Sequence, residues 1–283
     1  MKRIISAVFL LLVLVLNARG IPVHCQEDTV KINGILFSLA QSDNSVGSRV
    51  SEAALMLAGA GEDDYYRTDS IGSLRLNVDS FTPLMFVNTA IALAKASQLP
   101  GKTDWNVFAS ELENIACSRG INSGFPSIMY HSSDWIVDNV SRGNIIELTE
   151  NYSGMVAHTK SLDDMTRNRN RFAALADSAT FENVRMTEMG FRTHRIPALK
   201  KETIKKKEII DDLRDGDIII LVPNQDGIDI YDMGIVKFVD DVPHLIHLSP
   251  QSHTVTIENE SLERYFALMT KYFKGYRLIR VKE

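Results

Sequence analysis

The sequence predicts an α+β fold in which helices pack on a largely antiparallel sheet. Apolar residues recur at helical spacing through most of the chain before residue 214, whereas short apolar runs typical of strands dominate after residue 217. No internal repeat or low-complexity linker divides residues 30–283. Helices first and strands afterwards are the pattern of an α+β domain. We therefore expect one domain over residues 30–283.

The individual elements follow from the periodicity. Helical spacing is clearest at residues 50–60, 82–97 and 105–118. Further helices are predicted at residues 133–142, 168–176, 181–189, 204–213 and 261–272. Strands are predicted at residues 218–222, 233–239, 244–247, 254–257 and 276–281.

The first 20 residues have the features of an export signal. Lys2 and Arg3 precede an apolar stretch at residues 4–16, and small residues stand where cleavage after residue 20 requires them. The stretch is shorter than the roughly 20 apolar residues of a membrane-spanning helix. We predict a cleaved signal, then a tail at residues 21–29, and an exported protein, periplasmic or extracellular. An uncleaved signal anchor is the alternative.

The cysteine content gives little sign of a metal or lipid site. A lipid anchor at Cys25 is not expected, because the residue before it, His24, is not small. Cys117 lies in an amphipathic helix and is interpreted as a small buried thiol. Pairing of the two cysteines in an oxidising compartment stays open. No CxxC or HExxH spacing is present, so we predict no metal and no cofactor.

The charge balance argues against nucleic acid as a partner. The chain has 31 basic and 36 acidic residues, and without the first 20 residues the balance is 28 against 36. The lysine-rich stretch at residues 200–207 contains no interleaved aromatic residue and is interpreted as a solvated face.

Two short stretches carry the clearest functional signal. Residues 76–82 read Leu-Asn-Val-Asp-Ser-Phe-Thr and lead into an apolar helical run, and residues 226–235 read Asp-Gly-Ile-Asp-Ile-Tyr-Asp-Met-Gly-Ile at the start of a strand. They resemble the motifs Leu-Asp-Cys-Thr-Thr-Phe-Val-Glu and Gly-Leu-Asp-Ile-Ser-His-Val-Gly-Ile of the N-acetylmuramoyl-L-alanine amidase-like family, a branch of the NlpC-type, papain-like cysteine hydrolases. The resemblance implies a papain-like fold and places the family's cysteine and histidine at Ser80 and Asp232.

The resemblance extends over most of the chain after the signal. Similar blocks follow in the family's order at residues 124–127, 133–136, 215–219, 247–249 and 275–277. The resemblance implies that His247 takes the third catalytic position. As substrate-binding candidates, Tyr130 and His131 could supply polar groups near the cleft, and Trp135 is expected to be a core anchor with one edge near the cleft.

The two substitutions remove the chemistry that such a site needs. A cysteine nucleophile works because a helix N-terminus and an imidazole lower the pKa of its thiol. A serine hydroxyl at Ser80 is not ionised near neutral pH. A carboxylate at Asp232 is a poor base, since the pKa of an unperturbed aspartate is about 4, and it has no second nitrogen to relay a proton. Losing nucleophile and base together predicts an inactive site.

Each of these residues also has a purely structural interpretation. Ser80 precedes a helix with Pro83 at an early position, so Ser80 or Asp79 could be the helix N-cap. Asp232 could be an exposed residue at a strand edge, and His247 a hydrogen-bonded core histidine.

Three functions stay open at this stage. The leading hypothesis is an exported, catalytically inactive family member that binds peptidoglycan stem peptides or an envelope protein. The second is an active cell-wall amidase or peptidase that uses Ser80, with His131 or His247 as a displaced base. The third is a structural or interaction protein of the cell envelope.

Overall fold

A computed structural model of the protein describes residues 26–69, 74–98 and 104–283. The predicted signal and Cys25 lie outside the described residues. The α-helices of the described part are α1 (Gln26–Ala40), α2 (Val46–Met56), α3 (Tyr65–Thr68), α4 (Pro83–Ala96), α5 (Trp105–Ala116), α6 (Ser132–Ser141), α7 (Asp164–Arg167), α8 (Ser178–Gly190), α9 (Lys207–Ile210) and α10 (Leu262–Met269). Its strands are β1 (Gly61–Glu62), β2 (Ser80–Phe81), β3 (Ile145–Glu147), β4 (Met155–Lys160), β5 (His194–Lys200), β6 (Ile218–Pro223), β7 (Asp232–Val239), β8 (Val242–Leu248), β9 (Val255–Ile257) and β10 (Phe273–Val281).

The longer strands form one antiparallel sheet. Their order is β4-β5-β10-β6-β7-β8-β9, and β3 pairs with the far end of β10. The two-residue strands β1 and β2 pair in parallel beside α4. With helices mostly before the sheet, the α+β prediction is confirmed.

Helix α4 lies at the centre of the helical layer because nearly all of its side chains are apolar. Every residue from 84 to 94 is buried, as expected of a helix that is hydrophobic all round. The Thr82 side chain accepts a hydrogen bond from the backbone N–H of Met85, and Pro83 takes the first helical position. Both features are favourable at a helix start, so the beginning of α4 is fixed at Pro83.

The sheet carries an apolar core on each face. On one face α2 and α4 pack against strand residues such as Met233 and Ile246, and α1 and α5 pack against these helices. On the other face α10 packs against strand residues such as Val236 and Leu245. Burying one such side chain contributes about 1.5–3 kcal/mol to stability, so both layers hold the sheet in place.

Several sequence predictions differ from the structure. Helix α1 begins at Gln26, so residues 26–29 belong to a helix and not to the expected tail. The helix predicted at residues 168–176 consists of two short 3₁₀ turns. Strands β3, β4 and β5 were not predicted. None of the helices described for this chain is long and apolar enough to cross a membrane.

Candidate functional site

Asp232 and His247 meet inside the sheet. Asp232 is the first residue of β7. His247 lies on the neighbouring strand β8 and pairs with Gly234 of β7. Nδ1 of His247 donates to Oδ2 of Asp232 at 2.7 Å, and the Tyr265 hydroxyl donates to the same oxygen at 2.6 Å. Asp232 is 1% exposed and His247 is 0% exposed. The alternative of an exposed strand-edge Asp232 is therefore wrong, and His247 is a hydrogen-bonded core histidine.

The second ring nitrogen of His247 is also occupied. Nε2 donates to Oε1 of Glu258 at 2.9 Å. Burial alone would lower the pKa of His247, but the charge and hydrogen bond of Asp232, together with Glu258, outweigh burial and raise the pKa to about 9. The ring is therefore an imidazolium at neutral pH, with both N–H groups used inside the protein.

The direction of these side chains follows from strand alternation. Residues two apart on a strand point to the same face, so Asp232 and His247 share the face of Val236 and Leu245. That face is covered by α10, which supplies Tyr265. Helix α4 packs on the opposite face. Position 234, between Asp232 and Val236 on β7, has no room for a side chain, because a Cβ at Gly234 would lie 2.7 Å from the backbone oxygen of Ile246.

Ser80 does not join this pair. It lies on β2, three residues before α4 begins, and its side chain is partly exposed. Its hydroxyl donates to Oδ2 of Asp63 at 3.3 Å, and its backbone N–H donates to the side chain of Asn77. Neither Ser80 nor Asp79 caps the helix, because Thr82 does. The structure therefore brings together two of the three predicted catalytic positions.

A cleft opens beside the start of α4. Its volume is about 310 Å³, at the lower end of the range for small-molecule sites. The lining includes neither Ser80 nor Asp232 nor His247. The lining residues are Glu62, Asp63, Asp64, Arg67, Thr82, Pro83, Leu84, Tyr130, His131, Ile228, Asp229, Ile230 and Tyr231.

His131 forms a second buried charge cluster at the cleft wall. Its Nε2 lies 3.1 Å from Oε1 of Glu188, and its Nδ1 lies 3.8 Å from Oδ1 of Asp229. Burial alone would lower the pKa of His131, but the two carboxylates outweigh burial and raise the pKa to about 9. For Asp229, burial would raise the pKa, but His131 and the hydrogen bonds that the carboxylate accepts lower it. The wall therefore presents a cationic ring next to an ionised carboxylate.

Asp229 is the residue that links the cleft to α6, and sequence reasoning missed it. Its carboxylate accepts the backbone N–H groups of Ser132 at 2.9 Å and Ser133 at 2.6 Å, the first two residues of α6. This is an N-terminal helix cap supplied from 96–97 residues away along the chain. The signal was present in the sequence, since the family motif contains an aspartate three residues before the histidine position.

The remaining predicted site residues divide between the cleft and the core. Tyr130 lines the cleft, and its hydroxyl donates to Asp164 at 3.0 Å. Trp135 of α6 is 0% exposed in the core, as expected of a core anchor, but it does not line the cleft. Cys117 is a free, buried thiol, and burial raises its pKa to about 12. No group of three or more His, Cys, Asp or Glu within the described ranges could hold a metal ion.

The fold is shared with proteins of known structure. The chain resembles the crystal structure of an N-acetylmuramoyl-L-alanine amidase from Bacteroides uniformis, with 21% identity, coverage of 85% of this chain and 100% of that chain, and a TM-score of 0.73. A Legionella pneumophila protein is similar at 15% identity, with coverage of 91% and 95% and a TM-score of 0.70. At these identities the likeness shows the fold. A comparison with curated protein sequences finds no match.

The sequence itself gives the family. The model of the N-acetylmuramoyl-L-alanine amidase-like family matches residues 65–271, which is most of the chain. The protein belongs to this family, and membership suggests a function related to the cell wall.

Proposed function

We propose that this protein is an exported, catalytically inactive member of the amidase-like family that binds peptidoglycan fragments in the cleft beside α4. In this proposal the scaffold is papain-like and of the NlpC type, as the motifs suggest. The observation that carries the proposal is the state of Asp232. The residue at the family's histidine position is buried, and its carboxylate is engaged by His247 and Tyr265.

A buried, engaged carboxylate cannot act as the base of a hydrolase. A general base must reach the proton that it removes, directly or through one water. Asp232 does not line the cleft, and the side chain points to the face of the sheet opposite α4. His247 cannot replace it, because both ring nitrogens donate hydrogen bonds within the protein.

The position of the nucleophile also lacks a thiol. In the family motif Phe-Val-Glu begins three residues after the cysteine, and here Phe86-Val87-Asn88 resembles that part. Matching the motif on Phe86 assigns the cysteine position to Pro83 instead of Ser80. Pro83 is the first residue of α4 and lines the cleft, which is where a helix dipole lowers the pKa of a thiol. Proline has no nucleophilic group, so this correspondence strengthens the inactive interpretation.

The cleft keeps features that suit binding. Its walls combine apolar side chains, such as Leu84 and Ile230, with the imidazolium of His131. Tyr231 lines the cleft and stacks in parallel on Tyr272, with ring centroids 5.3 Å apart. Mixed apolar, aromatic and charged walls are typical of small-molecule sites. A stem peptide carries both carboxylates and apolar side chains, and such walls could accommodate both.

Calorimetry with purified muropeptides tests the proposal. We expect the wild-type protein to bind a disaccharide-peptide fragment without releasing products, and Tyr231→Ala to weaken binding at least tenfold. Leu268→Ala is the matched control, because Leu268 is exposed on α10 and does not line the cleft. Absence of binding, together with co-purification of an envelope protein, would favour the interaction-protein hypothesis instead.

One observation supports an active hydrolase as a second candidate. The Ser80 hydroxyl is partly exposed and donates to Asp63, which lines the cleft. A serine in contact with a carboxylate is a minimal nucleophile and base pair. A serine-directed fluorophosphonate probe distinguishes the two candidates, because it labels Ser80 of the folded protein only if that hydroxyl is activated. A displaced base at His131 is disfavoured, since a pKa of about 9 leaves the ring protonated at neutral pH.

A further inference from the structure

A buried lysine binds the loop that forms one wall of the cleft. Lys160 is the last residue of β4 and is 3% exposed. Its Nζ donates to the backbone oxygens of Pro223 at 2.8 Å and Ile228 at 3.1 Å, and also to that of Gln225. An ammonium has three donors. All three therefore go to carbonyls of a single stretch of chain, which starts at Pro223, the last residue of β6, and leads towards β7.

Residues 224–231 of that stretch are the β6–β7 loop, and the second half of the loop is a wall of the cleft. Residues 228–231 line the cleft, and Asp229 of this loop caps α6. The loop is also fastened by the backbone oxygen of Gly227, which accepts the N–H groups of Asp163 at 3.1 Å and Asp164 at 3.2 Å. The position of the wall therefore depends on contacts with the segment around Lys160.

We propose that the ammonium of Lys160 acts as an internal cation that occupies a cage of three backbone carbonyls and so positions the β6–β7 loop and the cleft wall. The three carbonyl oxygens converge on one point, and their dipoles would repel one another without a cation there. Lys160 is thus a positioning residue, which acts through the loop and does not touch the ligand. Only its effect on ligand binding rests on the proposed function.

The charges around Lys160 are compatible with an ammonium in the cage. Asp226 and Asp229 of the loop attract it, and Lys274 on β10 repels it. Burial, with the repulsion of Lys274, lowers the pKa of Lys160 to about 8. The side chain therefore stays mainly protonated at pH 7. Each hydrogen bond from a charged donor contributes more than a neutral one, so three such bonds can offset the cost of burial.

Hydrogen exchange of the loop contacts tests the cage directly. Lys160→Met removes the donors and keeps an unbranched side chain. We expect the protection factors of the Asp163 and Asp164 amides to fall at least tenfold in this variant. Lys274→Met is the matched control, because Lys274 lies near the cage without a hydrogen bond to it. In this control the protection factors of the Asp163 and Asp164 amides should change less than twofold. Unchanged protection in Lys160→Met would overturn the proposal.

Chemical rescue tests whether the cage takes a cation as such. Lys160→Ala leaves a space that matches n-propylammonium. We expect n-propylammonium to restore the protection of the Asp163 and Asp164 amides, while 1-propanol of the same length does not. Rescue by both compounds would show that filling the space is sufficient, and it would contradict the role of the charge.

A measurement on the unmodified protein covers the case in which these variants do not fold. The Nζ hydrogens of Lys160 should exchange with water at least tenfold more slowly than those of exposed Lys207. Equal exchange rates would contradict the cage. Because none of these readouts needs a ligand, the cage can hold or fail independently of muropeptide binding. If binding is found, Lys160→Met should weaken it at least fivefold and Lys274→Met should not.

Discussion

The Oδ2 atom of Asp232 accepts hydrogen bonds from both His247, at 2.7 Å, and Tyr265, at 2.6 Å. In the correspondence that we propose, this buried carboxylate takes the position of the family's histidine. In this arrangement one carboxylate oxygen accepts from a buried imidazolium and from a buried phenol. Asp232 is therefore part of the core, and its removal should affect stability more than any reaction.

Asp232→Asn should therefore destabilise the protein. The substitution leaves the His247 imidazolium buried with only Glu258 as a charged partner, and breaking a buried ion pair costs about 3–5 kcal/mol. Urea unfolding measures the loss. Asp43→Asn is the same change at an exposed residue and should alter the unfolding free energy far less. Equal effects of the two substitutions would contradict the network.

The two raised histidine pKa values predict how stability depends on pH. His131 and His247 have folded pKa values of about 9, above the unfolded value of about 6.5. The stability that they contribute is fully present below pH 6.5 and is lost as pH rises through 9. We expect the unfolding free energy to fall between pH 6.5 and pH 8, and His247→Gln to flatten this slope. A stability that rises over that range would be inconsistent with buried imidazoliums.

Cys117 should be inert in the folded protein. Its thiol is buried, and burial raises its pKa to about 12, so almost no reactive thiolate is present at neutral pH. In a Cys25→Ser variant, Ellman's reagent should label no thiol until urea is added. Fast labelling of the native variant would show that Cys117 is accessible.

Restoring the family's residues should distinguish Pro83 from Ser80 as the cysteine position. A thiol at the first residue of α4 lies at the positive end of the helix dipole. Pro83→Cys in a Cys25→Ser background should therefore react with iodoacetamide at lower pH than Ser80→Cys in the same background. If Ser80→Cys reacts at the lower pH instead, the result would support Ser80 as the position of the family's cysteine. Combining Pro83→Cys with Asp232→His tests whether any hydrolysis returns.

Sequence patterns predicted the elements whose signal is local. Helix α4 and strands β6–β8 were found because their apolar runs are long and their ends are marked by Thr82-Pro83 and by the glycine turn at residue 216. Helix α1 was missed because its polar residues and Gly34 obscure a stripe of only a few buried side chains. Strands β4 and β5 were missed because β4 lies at the sheet edge and Pro197 interrupts the pattern of β5.

The site was harder to predict because its contacts join distant parts of the chain. The pairing of Asp232 with His247 was accessible, since both lie in motifs on adjacent predicted strands. The partners of His131 were not, because Glu188 and Asp229 lie far along the chain, and although Asp229 stands in the family motif, no sequence pattern links it to His131. Side-chain direction decided the rest. Only the strand register shows that Asp232 points away from α4, and only the packing shows that Trp135 has no edge at the cleft.

Mass spectrometry of a muropeptide digest tests the central claim most directly. Purified wild-type protein and Ser80→Ala are incubated with a mixture of soluble peptidoglycan fragments, and the masses before and after incubation are compared. An inactive scaffold predicts unchanged masses with both proteins over a range of pH. New fragments with the wild-type protein that are absent with Ser80→Ala would show serine-dependent hydrolysis and contradict the account.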